Sequence, residues 1–351
     1  SRKLKKKNMP NNQVILVTGG AGYKGSVLIP ELINNGYYVK CLDRFFFGKE
    51  FLEQEKFAEN LELIQDDIRW CDSKYFENVD AVLDLAALSN DPVGDLNPSK
   101  TFDINFLGRS RIARLAKLSG VPKYILASSA SNYGFQTEIV NEESKVGPLT
   151  AYSTANHLAE MDNLSISDKN FCVTVLRFSS IFGLSPRMRF DLAVNNMTLD
   201  YFNEGIIRIS GDGKQSRPFL HIKDATLAYL KVLKSESDLV NGQIFNVGAD
   251  SQNFEIEKLA KEVASALSND AEIQYVGTKD HRSYVASFEK IKNQLGFVPK
   301  YSVADGAHEI YDALKNGIIS DSKKTKTVEW YQYLLSSKEV SKEYLLRGTI
   351  L

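Results

Sequence analysis

Apolar runs separated by amphipathic segments fill the first half of the chain. The first, Gln13 to Thr18, is apolar almost without a break, the pattern of a strand covered on both faces rather than half exposed. The pattern recurs at Tyr37 to Leu42, Leu61 to Gln65, Asp80 to Ala87, Lys123 to Ala127 and Cys172 to Phe178. Helical spacing is expected over Val27–Asn35, over Ser99–Ser119, from Pro148 to about Ser167, and in a polar stretch after Asp43. Strands alternating with helices predict an α/β fold built on a doubly wound parallel sheet with right-handed crossovers. The second half has shorter elements, with helices expected over Phe190–Phe202, Ala225–Leu233, Ile256–Leu267 and Val303–Leu314. A strand near 243–248 returns to the sheet, and the tail from Lys323 onward reads as helical.

The first apolar run ends in Gly19-Gly20-Ala21-Gly22-Tyr23-Lys24-Gly25. Glycines here allow a tight turn, close approach of backbone to a pyrophosphate, and packing of the next helix on the strand. The helix N-terminus then offers unpaired N–H groups to phosphate. The second run ends in Asp43, an acid placed to accept hydrogen bonds from an adenosine ribose. A carboxylate there repels a 2′-phosphate, so the expected cofactor is NAD rather than NADP, with Arg44 beside it as a softening influence. The fold is therefore expected to be a Rossmann-type sheet with a smaller C-terminal α/β substrate domain. Expected boundaries are a disordered basic tail at 1–12, an NAD-binding domain at 13–180 joined by the returning strand, and a mainly substrate-binding domain at 181–351.

Charge and cysteine usage narrow the picture. A formal net charge of −1 over 351 residues gives no electrostatic reason to expect nucleic acid. Cys41, Cys71 and Cys172 share no metal-like spacing, no metal is expected, and the thiols suit a reducing cytoplasm. No apolar run approaches the length of a membrane span.

Thr18 to Gly25, Asp43, Asp67-Ile68, Leu85-Ala86-Ala87, Ser128-Ser129 with Tyr133-Gly134, Tyr152, and Arg217 to Asp224 occur in one order. Together they resemble the extended short-chain dehydrogenase/reductase family, the NAD-dependent nucleotide-sugar epimerases and dehydratases, from about Val14 to Leu314. The resemblance implies a catalytic tyrosine at Tyr152, a bridging hydroxyl at Ser129, and a lysine four residues after the tyrosine. That lysine would hold the nicotinamide ribose and lower the tyrosine pKa. Four residues is one helical turn, so both side chains share a face. Here Asn156 occupies the lysine position, and an amide carries no charge to stabilise tyrosinate, so slowed proton transfer is expected. Asp84 stands where many relatives have histidine, an unwelcome anion near a pyrophosphate unless it faces away. An engineered change, a natural enzyme using other groups, and a degenerate binding protein are all open accounts of Asn156.

The resemblance further implies cofactor contacts at Gly19, Gly22, Tyr23, Lys24, Gly25, Asp43, Asp67, Ile68, Leu85, Ala86, Ala87, Asn105 and Ser128. It implies substrate contacts at Ser89, Asn195, Arg217 and Arg282. Arg187 and Arg189 are either further phosphate cations or surface salt bridges. Ala130 and Ser131 leave no acid where the family's dehydratases and decarboxylases carry one. The implied reaction is 4-epimerisation of a nucleotide-diphosphate sugar, like a UDP-glucose 4-epimerase. Alternatives are a weak or inactive NAD/nucleotide-sugar-binding protein and a net 4-dehydrogenase. A homodimer through the helices at 99–119 and 150–167 is a further implication.

Overall fold

The computed structural model describes residues 13–268, 271–277 and 282–351. The basic stretch 1–12 lies outside the described residues. Seven strands form the central sheet: β1 (Val14–Thr18), β2 (Tyr38–Asp43), β3 (Leu61–Gln65), β4 (Ala81–Asp84), β5 (Lys123–Ser129), β7 (Cys172–Phe178) and β11 (Gln243–Val247). Their order is β11-β7-β5-β4-β1-β2-β3, and every pairing is parallel. Successive side chains of a strand point to opposite faces. Ile15 and Val17 thus pack with Leu28, Ile29 and Leu32 on one side of the sheet. Leu16 packs with Leu42, Val82, Ile112 and Tyr124 on the other. Both faces are filled, which is why the strands read as unbroken apolar runs.

The order in which strands are added reverses between β1 and β4, opening a crevice at the strands' C-terminal ends, where ligands sit in open α/β sheets. Three smaller sheets stand beside it: β6 (Phe135–Val140) with β14 (Ser283–Ala286); β8 (Ser180–Phe182) with β10 (Ser216–His221) and β12 (Asn253–Glu255); and β9 (Ile206–Ser210) with β13 (Glu272–Val276). The last two pack over a separate apolar cluster that includes Phe182, Ile207, Phe219, Leu259 and Val263, whereas Val140, Tyr284 and Ala286 of the first join the core of the main sheet.

Two local expectations are corrected. The stretch after Asp43 is not a helix; only Glu55–Phe57 forms a short helical turn. Phe45 and Gly48 adopt left-handed φ of 56° and 91°, which breaks any helix there. The expected 99–119 helix is helical but interrupted: Pro98–Phe102 runs into a wide, π-type turn at Asp103–Gly108 before Arg109–Leu118. Such wide turns are frequent at functional sites.

A buried ion pair ties the sheet to the helix Ala151–Ser165. Arg177 of β7 donates from Nε (2.9 Å) and a terminal nitrogen (2.7 Å) to the two oxygens of Glu160. Ser128 and Asn132 also donate to Glu160. Burial works to raise the Glu160 pKa, but nearby His157 (3.5 Å) and the bonds from Arg177 and Ser128 outweigh it and hold it below the usual carboxylate value. A depressed carboxylate stabilises the fold above its unfolded pKa and loses that contribution as pH falls. Glu160→Gln is expected to cost about 3 kcal/mol, because Arg177 is left buried without its charge partner. Urea midpoints should show this deficit in full above about pH 4.3 and show it shrinking below.

Candidate active site

A cavity of about 660 Å³ runs along the crevice from β2 to β9. Its floor is the loop after β1. Gly19 has φ +67°, and a Cβ there would lie 2.7 Å from the Ala86 backbone. Only glycine lets the loops after β1 and β4 meet so closely. Gly25 is equally constrained, since a Cβ would fall 2.4 Å from the Gly20 carbonyl. Gly19, Gly22, Tyr23, Lys24, Gly25 and Leu85 to Ala87 all line the cavity. The Lys24 ammonium lies 4.2 Å from the centre of the Phe178 ring. Burial, with the nearby charges of Arg109 and Arg189, brings its pKa down to about 7.

At the β2 end, Asp43 accepts from the N–H groups of Ala21 (3.0 Å) and Phe45 (2.7 Å) while lining the cavity. Asp67 and Ile68 also line it, but Asp67 is committed to Arg44 (2.7 Å) and Arg69 (2.8 Å). Arg44, which lines the cavity too, additionally donates to the carbonyls of Tyr344 and Thr349, so both its terminal nitrogens are engaged. Tyr331, Ile350 and Leu351 close this end as an apolar wall with Phe46. Nothing local in the sequence pointed to that wall.

The centre of the cavity holds Ser128, Ser129, Tyr152 and Asn156. Thr150 caps the helix Ala151–Ser165 in a reciprocal capping box with Ser153, which fixes the first turn that carries Tyr152. Asn156 lies one turn on. Ser129 shares a 2.8 Å hydrogen bond with Ser131, and Ser128 donates to Glu160. Burial pushes the Tyr152 phenol above its ordinary pKa, and the charge of Asp91 adds to this. Arg109, Ser129 and Asn156 pull it back.

Arg109 was not singled out in the sequence. It is 1% exposed and donates to the Asn156 carboxamide oxygen at 2.9 Å. It also donates to the backbone carbonyls of Asp84 and Ala127. Asp84 is fully buried and faces inward, away from the glycine loop. Its carboxylate accepts from Thr18 (2.5 Å) and Tyr124 (2.5 Å) and lies 3.7 Å from Arg109 Nε.

The residues expected at the substrate end divide. Ser89, Arg217 and Arg282 line the cavity. Arg217 donates to the Arg282 carbonyl (3.0 Å), and Arg282 pairs with Asp91. Arg187 and Arg189 are buried cavity residues rather than surface charges. Arg189 pairs with Asp191 (2.8 Å) and donates to Ser89 (3.2 Å). Burial, with the Arg189 charge beside it, lowers the Arg187 pKa to about 9. Asn195 and Asn105 do not line the cavity. Asn195 is spent on Gly183 N–H, the Tyr23 hydroxyl and the Arg189 carbonyl. Asn105 clamps Leu88 through both its N–H and its carbonyl. Both hold loops that shape the site.

The family model described as the NAD dependent epimerase/dehydratase family matches residues 15–248. The chain belongs to this family. It is 28% identical over 321 residues to UDP-glucuronic acid decarboxylase 1 of Arabidopsis thaliana, covering 88% of this chain and 71% of that one. It is 26% identical over 313 residues to a putative UDP-glucose 4-epimerase of Methanocaldococcus jannaschii, covering 86% and 99%. Among solved structures, UDP-glucose 4-epimerase from Thermotoga maritima with UDP-glucose superposes with a TM-score of 0.75 at 25% identity, covering 88% of this chain and all of that one.

The family's cofactor, NAD, fits the residues present. Asn156 Nδ2 is buried at the cavity without a hydrogen-bond partner, a donor suited to a ribose hydroxyl. The loop after β1 is kept bare of side chains where a pyrophosphate would lie. With Asp43 at the ribose position and the terminal nitrogens of Arg44 already engaged, NAD should bind at least about tenfold tighter than NADP. Asp43→Asn should narrow that gap, as read by dissociation constants for the two cofactors from fluorescence titration.

Proposed function

We propose that this protein is a nucleotide-sugar 4-epimerase, which oxidises the C4 hydroxyl transiently and re-reduces the 4-keto sugar from its other face. The observation that carries this reading is Ser129 and Tyr152 meeting in one cavity while the adjacent positions are Ala130 and Ser131. A proton acceptor is present without the additional acid that elimination of the C6 hydroxyl needs. NAD, when bound, accepts the hydride and returns it. Tyr152 takes the proton of the C4 hydroxyl and gives it back to the re-formed alkoxide, with Ser129 hydrogen-bonding between phenol and sugar. Arg217, aided by Arg282, binds the diphosphate; guanidinium is suited to this because its fork meets two oxygens at once. In this reading residues 13–180 hold the cofactor and 181–351 mainly the substrate.

The names of several relatives favour a second reading. UDP-glucuronic acid decarboxylases recur among them. In that reaction C4 oxidation makes the C6 carboxylate a β-keto acid, which leaves as carbon dioxide.

A homodimer is proposed through the helical segments 99–119 and 150–167, where Leu107, Leu158 and Met161 are exposed. A cytoplasmic location is proposed on the three free, buried cysteines. Among the described residues no helix is long and apolar enough to cross a membrane.

The test mixes the protein with UDP-, dTDP- and GDP-hexoses and hexuronic acids while bound cofactor and products are followed. Interconversion of C4 epimers without net NAD consumption is expected. Tyr152→Phe should lower kcat by about 100-fold or more. Stoichiometric NADH would indicate a net dehydrogenase, and carbon dioxide release would favour the second reading. Absence of any cofactor reduction across the panel would sink the proposal in favour of a binding protein.

A further inference from the structure

Asn156 follows Tyr152 by one helical turn but brings no charge, so the positive charge beside the phenol has to come from elsewhere. The neighbouring helix brings a guanidinium up to Asn156. Arg109 stands at the first position after the wide turn Asp103–Gly108. Its donor set is nearly used up. One terminal nitrogen bonds Asn156 Oδ1, and the other bonds two backbone carbonyls. Nε has no hydrogen-bond partner and faces the Asp84 carboxylate at 3.7 Å. Asp84 is fixed in turn by Thr18 and Tyr124, and Asn163 donates to the Tyr124 hydroxyl at 3.2 Å.

This arrangement decides which way Asn156 points. A guanidinium has only donors, so the carboxamide must turn its oxygen to Arg109 and its NH₂ the other way. That NH₂ is the buried, unpartnered donor at the cavity.

We propose that Arg109 and Asn156 together do the work of a single lysine: Asn156, oriented by Arg109, donates to the cofactor ribose, and Arg109, backed by Asp84, supplies the fixed positive charge that favours tyrosinate at Tyr152. The inference rests on the reading of Tyr152 as the base and explains how an amide at 156 is compatible with turnover. Arg109 is a positioning residue, acting through Asn156 and through its field.

Other groups face Tyr152 as well: Asp91 from the loop after β4, Arg189 from the loop after β8, and Tyr229 from the helix Ile222–Lys234. Lys24 lies near Arg109 and titrates near neutrality. The test must therefore isolate the Tyr152 phenol. Tyrosinate absorbance of the NAD-bound protein is titrated as a difference against Tyr152→Phe, and NAD dissociation constants are measured in parallel.

The double change Asp84→Asn/Arg109→Met removes the buried pair together and leaves no orphan charge. It is expected to raise the Tyr152 titration by about one unit or more. Arg109→Lys keeps the charge but breaks the fork to Asn156. It should hold the Tyr152 titration near its starting pH while weakening NAD at least about fivefold. Asn156→Lys sets an ammonium against the guanidinium and should weaken NAD binding, whereas Arg109→Met/Asn156→Lys should regain it. An unmoved Tyr152 titration in Asp84→Asn/Arg109→Met, or a gain in NAD affinity from Asn156→Lys alone, overturns the proposal. If the double variant fails to fold, Arg109→Lys and the two Asn156→Lys forms decide in its place. No turnover is needed, so failure to find a sugar substrate would sink the proposed function and leave this result readable.

Discussion

A guanidinium that is 1% exposed has to be compensated where it lies, because desolvating an uncompensated charge costs several kcal/mol. In this protein that requirement links the sheet to the site. The compensating carboxylate, Asp84, ends β4. Its two oxygens are held by hydroxyls from β1 and β5. Arg109 reaches across to the helix that carries Tyr152. Three adjacent strands and two helices are thereby fixed around one charge pair. The acid at 84 looks misplaced beside a phosphate site when only its position in the chain is considered. In three dimensions it faces the interior and is what makes a buried arginine tolerable.

The crevice itself follows from the sheet. The reversal of strand order between β1 and β4 leaves their C-terminal ends uncovered, and glycines let the two loops there come within contact distance. The second half of the chain then supplies what the sheet lacks: the Arg189–Asp191 pair from the loop after β8, Arg217 from β10, and Arg282 before β14. Asp91 meets Arg282 across the cavity, so the two halves are joined at the place proposed for the substrate.

Much of this was legible in the chain. Unbroken apolar runs identify strands buried on both faces, the glycine loop identifies the phosphate end, and the one-turn spacing of Tyr152 and Asn156 puts both on one face. The short strands β8, β12 and β14 carry too few residues for a periodic signal. Asn105 and Asn195 resemble ligand contacts by position but satisfy backbone groups of neighbouring loops, a distinction that depends on tertiary packing. Arg109 was hidden for a similar reason. It precedes Arg111 and Arg114 on a helix with a clear polar face, and only partners remote in sequence, Asp84, Ala127 and Asn156, draw it inward. The available signal was Asp84 itself, an acid at the end of an apolar strand that calls for a cation.

The apolar wall at the β2 end has a consequence for how the protein folds. Arg44 is fastened to a carbonyl 300 positions further along the chain, and Trp330 donates to the Phe46 carbonyl at 2.7 Å. The strands and glycine loop of the cleft lie within the first half of the sequence and form through comparatively local pairings. Closing the adenosine end depends on contacts of far longer sequence separation, and such contacts are slow to form. The floor of the cleft therefore rests on comparatively local pairings, while its outer rim depends on the most distant contacts of the site.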